Sequence, residues 1–389
     1  MGDTTFIVWS IMNPTRERLH GFDALRGFAL LLGVVLHSAM SFLPGMQIWV
    51  VADSQRSPVL SATFFLIHTF RMLLFFVLAG FFARMSLQRL GWRKFIADRL
   101  KRIAVPLIVG LPILFFGVLL VLTWIAAIQG RPQAPFTISS ISPEAFPLIH
   151  LWFLYLLLIF YSVGLLARAA LGRLTWLKMA FDAVFSLLLR FWLPIMGLPL
   201  MLSLYLYPNW LFWFGIPTPD TTLYPNSPAL IGYGSAFLFG YGLHRQIHWL
   251  EVLKKRWAIN LFLAVISSIA CLLVFGTVPV FTPLSEKLSL AALYSLTGWS
   301  WTLALLGIAL RFFSSFNATQ RYFSDAAYWI YLIHLPLVMA LQTLLSGLEW
   351  AWWIKFPSIV VATIGLTLLT YQLLVRHSFI GVILNGKRT

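Results

Sequence analysis

The chain has 389 residues, 60% of them hydrophobic and 10% charged, whereas ordinary soluble domains carry roughly 25% charge and 45–50% apolar residues. That excludes a water-soluble globular protein and predicts a polytopic membrane protein. Its 28 Lys and Arg against 12 Asp and Glu leave a formal net charge of +16, which in such a chain reads as topology signals, with no nucleic-acid partner expected.

The segment from Met1 to Gly21 is polar and basic and lacks a small-residue cleavage site, so the first apolar run is expected to be a retained span. A span needs about 20 apolar residues to cross about 30 Å of hydrocarbon with every backbone polar group satisfied. Such runs fall at 25–43, 61–83, 103–127, 150–168, 191–207, 229–247, 258–281, 290–312, 325–346 and 353–375. The predicted class is therefore all-α, with about ten transmembrane helices. Placing the N-terminus inside puts 23 of the 28 basic residues on cytoplasmic segments. Arg56, Arg131, Lys287 and Lys355 fall on the opposite face, and Arg71 lies within a span. Both termini are accordingly expected in the cytoplasm. One transmembrane domain covers 1–389, with 1–20 as a cytoplasmic N-terminal segment and 377–389 as a cytoplasmic tail.

Residues 175–190 read either as an interfacial amphipathic helix or as the start of span five. The outer loops 44–60, 128–149 and 208–228 are rich in Pro, Ser and Asp, and Trp210 and Trp213 read as headgroup anchors ahead of substrate stacking. The single cysteine, Cys271, excludes an intrachain disulfide and a CxxC pair and is expected to be a buried, inert thiol. There is no fixed-period repeat, dinucleotide fingerprint, Walker loop or HExxH.

Polar residues inside apolar runs mark function, because a charge at the bilayer centre costs at least about 2.5 kcal/mol. Arg71 lies roughly 15 Å into span two, with His68 three residues before it on the same helical face. His37 lies in span one, about 16 Å beyond Arg26. His334 sits mid-span ahead of Pro336, where a proline frees a helix carbonyl, and His150 opens span four. Each histidine alone has a structural alternative, fastening helices through a serine or a carbonyl. No metal is expected, since no two mid-membrane histidines share a helix at ligand spacing and no intramembrane carboxylate accompanies them. Asp23 and Arg26 stand at i and i+3 where span one leaves the cytoplasm. With Arg99, Lys101 and Arg102 they suggest a basic mouth suited to a polyphosphate, which guanidinium pairs bidentately.

These residues also carry a resemblance. DALRGFALLLGVVLH resembles the Arg-x10-His signature of the membrane acyltransferase-3 family. FFLIHTFRMLLFFVLAGFF, RLKRIAVP, HLWFLY and IYLIHLPL are similar to its branch called glucan biosynthesis protein C, over about residues 18–376. The resemblance implies that His37 is catalytic, that Arg26 belongs to the donor site, and that Arg99 and Arg102 form the family's Arg-x-x-Arg element. The serine usual in FFxxSG is Ala79 here, so no role of that hydroxyl transfers. The fused extracytoplasmic domain of relatives that acylate O-antigen or peptidoglycan is not expected.

Together the residues and the resemblance predict an acyl-CoA-dependent O-acyltransferase of the bacterial inner membrane. It would move a succinyl group from cytosolic succinyl-CoA to a sugar hydroxyl of periplasmic glucan, with no tightly bound cofactor. His37 is the expected general base, with Asp23, Arg71 and His68 as further catalytic residues. Arg71, assisted by His68, would either hold the oxyanion or grip a succinyl carboxylate. Arg26, Arg99 and Arg102 would bind acyl-CoA, while His150, Trp152, Tyr155 and His334 would line the glucan side. Expected partners are acyl-CoA, periplasmic glucan and bilayer lipid, with a homo-oligomer or other glucan-synthesis proteins left open. The competing readings are a carrier that moves an anionic metabolite past Arg71 without chemistry, and a structural subunit of glucan synthesis.

Overall fold

A computed structural model describes residues 19–45, 49–129, 141–172, 174–191, 193–208, 210–278 and 285–386. All regular structure among them is helical. In chain order the helices are α1 (His20–Ala39), α2 (Pro58–Arg99), α3 (Val105–Gln129), α4 (Trp152–Leu171), α5 (Thr175–Phe191), α6 (Leu193–Leu206) and α7 (Gly234–Arg245). Then follow α8 (Trp249–Lys255), α9 (Trp257–Phe275), α10 (Lys287–Phe312), α11 (Ala318–Ser346), α12 (Trp352–Thr370) and α13 (Phe379–Asn385).

Local chemistry sets several of these boundaries. Ser57 accepts a hydrogen bond from the Leu60 amide at 3.2 Å and Pro58 fills the first turn, which starts α2. Asn317 accepts from the amides of Thr319 and Gln320 and starts α11. Gly91, at φ 73°, breaks the direction of α2 beyond its membrane portion, a conformation that side chains rarely adopt.

Among the described residues seven helical runs are long and apolar enough to cross a membrane, and one of them, Pro58–Ile128, contains both predicted spans 61–83 and 103–127. The chain is a polytopic membrane protein. Segment 175–190 is helical, within α5, and helix resumes at Leu193 in α6. Trp176, Met179 and Leu187 of α5 are exposed, while Asp182 takes a bidentate pair from Arg245. Helix α6 then has 14 residues, roughly 21 Å at a rise of about 1.5 Å.

Membrane helices gain little from hydrophobic burial against one another, so close approach of backbones through small residues takes its place. A methyl group on Gly80 of α2 would overlap the Phe237 carbonyl of α7, and one on Gly240 of α7 would overlap the Val77 carbonyl of α2. Gly80 is the glycine of FFVLAG, so this contact explains that position, whereas Ala79 beside it is only partly buried. Outward faces carry bare apolar side chains such as Ile108, Ile113 and Leu120 on α3, as hydrocarbon requires.

Two expectations change in the interior. Trp210 and Trp213 are each 2% exposed, with Trp210 donating to the Gly215 carbonyl at 2.7 Å and Trp213 stacked on Phe65, so both are packed inside rather than in a headgroup belt. Lys355 is wholly buried and donates to both carboxylate oxygens of Asp53 at 3.0 Å. This pair pins the segment 49–57, which folds back over the end of α1 through Asp53 N–H to Ser41 O and Arg56 to Ser41 O and Leu43 O. Cys271 is buried, with its sulfur 3.5 Å from Thr297 Oγ1.

Candidate active site

Five residues singled out by their position in apolar runs converge in the bundle. His37 comes from α1, His68 and Arg71 from α2, His334 from α11, and His150 from the turn before α4. The His37 ring lies 5.3 Å from that of His334 and 6.4 Å from that of His150, and the latter two are 4.9 Å apart. His37, His68, Arg71 and His150 are partly buried and His334 is buried.

The backbone fixes two of these imidazoles. His150 Nε2 and His334 Nδ1 each donate to the Tyr331 carbonyl at 2.8 Å, and the Tyr331 hydroxyl donates back to the His150 carbonyl at 2.7 Å. A ring that donates from one nitrogen presents a lone pair on the other when neutral. His150 Nδ1 and His334 Nε2 are buried and, among the described residues, meet no hydrogen-bond partner. The shared carbonyl lies one residue before Leu332, whose helical hydrogen bond Pro336 removes. Ile149 takes φ 50° beside His150, a strained value for a β-branched residue. Its amide is held by the Asp220 carbonyl at 2.9 Å.

Arg71 approaches α1 where the sequence provides no side chain. Gly33 stands one turn before His37, and a methyl group placed on it would lie 2.7 Å from Arg71 Nη1 and 3.9 Å from His334 Nε2. Among the described residues the titratable groups facing His37 are His334, Arg71, His150 and His68, with no anion among them. Such a set can accept a proton at an imidazole and hold negative charge at a guanidinium. Among the described residues no group of three or more His, Cys, Asp or Glu is arranged to hold a metal ion.

Other predicted site residues lie elsewhere. Asp23 is not beside His37: it precedes it by about 14 residues, roughly 21 Å along α1. Its carboxylate instead lies 3.6 Å from Arg26, and its carbonyl accepts from Ser324. Asp23 therefore stands at the arginine-rich end of the bundle, apart from His37. Arg26, Arg89, Arg99 and Arg102 do gather at that end of the bundle, but Asp98, missed in the sequence, sits among them. Arg99 contacts Asp98 at 2.5 Å and lies over Phe95 and Tyr161, while Arg102 pairs with Asp98 at 2.9 Å. Trp152 is 5% exposed and stacks on Tyr233, so it does not line an open approach. Tyr155 spends its hydroxyl on the Leu223 carbonyl at 3.0 Å.

The sequence reading also missed what surrounds His37. The Trp49 indole stacks on its ring at 5.8 Å and 29° and donates to Gln342 Oε1 at 2.8 Å. Gln342 Nε2 in turn donates to the His37 and Ser38 carbonyls at 2.9 and 3.2 Å. Gly33 could have been found as the residue four before His37 on one helical face. No signal marked Trp49, which lies in a loop.

The chain is 30% identical over 153 residues to "Glucans biosynthesis protein C" of Shigella boydii serotype 4 (strain Sb227), a segment that covers 38% of each protein. The protein of the same name from Escherichia coli (strain K12) is 29% identical over 153 residues, again 38% of each chain. The matched segment is thus well under half the length of these curated relatives. No solved structure matches. The family model described as "Acyltransferase domain" (Acyl_transf_3) matches residues 19–372, nearly the whole chain, and the protein therefore belongs to the acyltransferase-3 family.

Proposed function

We propose that the chain transfers an acyl group, succinyl, from a cytosolic acyl-CoA to a sugar hydroxyl of a periplasmic glucan. In this reading it sits in the bacterial inner membrane with the arginine-rich end of the bundle toward the cytosol. Support comes from the family, from the name carried by its relatives and, above all, from one observation: Arg71 Nη1 reaches the α1 backbone at Gly33, one turn from the His37 imidazole. A base and a fixed cation thereby face one interior space.

In the proposed step His37 takes the proton of the attacking hydroxyl as the new C–O bond forms on the thioester carbon. The C–S bond then breaks, sulfur leaves with the electron pair, and the imidazolium returns the proton to the thiolate. Arg71 carries the negative charge of the tetrahedral oxygen, a contribution of about 3 kcal/mol for one well-placed donor. A dicarboxylic acyl group would add a carboxylate to a site that, among the described residues, has cationic and neutral groups but no anion facing His37. At the arginine-rich end Arg26 is 40% and Arg102 35% exposed, which makes them the better phosphate ligands. Arg99 is committed to Asp98 and two aromatic rings.

The test is purified protein in liposomes, with labelled succinyl-CoA outside and glucan inside, or the reverse. Ester formation that His37→Ala abolishes, in a folded protein that still binds donor, is the expected result. Counterflow of the free acid without ester would establish the carrier instead.

A further inference from the structure

The imidazolium that forms on His37 would be stranded in this site. The titratable and charged groups facing it are His334, His150 and His68, all imidazoles, and Arg71, a cation. In hydrolytic triads a buried carboxylate orients the base and stabilises its charged form, and among the described residues none faces His37. What the ring does meet is the face of an indole, that of Trp49, at 5.8 Å and 29°.

We propose that Trp49 and Gln342 together replace that carboxylate, as positioning residues for His37. This rests on the acyl-transfer reading above. The indole face carries negative quadrupole and attracts a cation stacked within about 6 Å, more strongly where water is excluded. Trp49 therefore favours the charged form of His37 that the transition state demands over the neutral form of the resting site. Gln342 sets the geometry: it binds the indole N–H through Oε1, and the last turn of α1 through Nε2 at the His37 and Ser38 carbonyls. One side chain thus holds both members of the stack. The segment carrying Trp49 is tied down independently by the buried Asp53–Lys355 pair and by Arg56 on the carbonyls of Ser41 and Leu43. The indole therefore stands over the imidazole on a fixed support.

The electronic part of this proposal separates from simple packing. With tryptophan analogues of increasing fluorination placed at position 49 alone, the ring keeps its shape and its N–H while its quadrupole weakens. The expected result is a stepwise fall in kcat, reaching about tenfold for the most fluorinated ring, with donor KM within twofold. Trp49→Phe should retain part of the rate and Trp49→Leu should lose about tenfold or more. Gln342→Leu should lower kcat with the fold intact, and Gln342→Glu, which keeps the acceptor for the indole, should recover part of it. A kcat flat across the fluorinated series, or Trp49→Leu turning over as fast as Trp49→Phe, overturns the proposal. Wild-type protein that forms no ester would instead reject the acyl-transfer reading itself.

Discussion

Replacing Gly33 by alanine tests the geometry of the site with a single methyl group. That methyl would stand 2.7 Å from Arg71 Nη1, whereas ordinary contacts begin at 3.4 Å. The guanidinium must therefore retreat by about 0.7 Å. It is the end of a flexible side chain, so the overpacking cost should fall at or below the lower end of the usual range of about 1–3 kcal/mol. Alanine also gains about 1 kcal/mol over glycine inside a helix, so the two terms nearly cancel and the thermal midpoint should scarcely move. Catalysis has no such compensation. A donor misplaced by about 1 Å costs on the order of a hundredfold and a donor removed costs a hundred- to a thousandfold. Gly33→Ala should thus lower kcat about ten- to a hundredfold. Gly365→Ala, where a methyl meets nothing within 4 Å on α12, serves as the comparison and should leave kcat unchanged. The assay is initial-rate ester formation in liposomes beside thermal unfolding in detergent. A Gly33→Ala protein with wild-type kcat would refute the assignment of Arg71 as the charge-bearing group.

Two further outcomes follow from the ion pairs. Arg102→Ala should raise the apparent KM for acyl-CoA several-fold more than it lowers kcat, since Arg102 is 35% exposed at the arginine-rich end; a pure kcat effect in steady-state kinetics would contradict phosphate binding. Asp53→Leu leaves Lys355 buried without its anion, which should cost about 3–5 kcal/mol. Adding Lys355→Met should restore most of the loss, as a thermal double-mutant cycle would report; equal midpoints for the single and double variants would mean that the pair contributes nothing as a pair.

The bundle was legible because the bilayer leaves so few solutions. Long apolar runs must become helices, and each predicted span overlaps a helix in the structure, although those at 191–207 and 229–247 are not among the runs long and apolar enough to cross a membrane. Arg71, His37 and His334 stood out because polar groups are costly at that depth, and they do come together. What could not be read was anything set by contact between distant segments. Lys355 looked like a basic residue at an outer helix end until Asp53 appeared beside it. Asp98 was one acid in a basic stretch, and nothing in its spacing indicated that it would neutralise Arg99 and Arg102. Asp23 shares the DALRG stretch with Arg26, and helix geometry holds it three to four turns from His37. Trp49 and Trp152 show that aromatic residues near span ends do not declare whether they face lipid, a loop or the site.

That no anion among the described residues faces His37 has an energetic logic in a membrane protein. Neutral imidazoles cross the bilayer at modest cost, whereas a buried carboxylate must be paired or hydrogen-bonded to remain charged. An acid placed beside His37 would also sit near Arg71, and the resulting ion pair would consume the guanidinium that the proposed chemistry needs free. Building the site from backbone-tethered histidines, one arginine and an indole avoids that competition. Tyr331 uses a single carbonyl to fix His150 and His334, and the cation of Arg71 is left to meet negative charge that arrives with the substrate. On this reading the resting site is electrostatically incomplete, and the acyl donor supplies the missing charge at the moment it is bound.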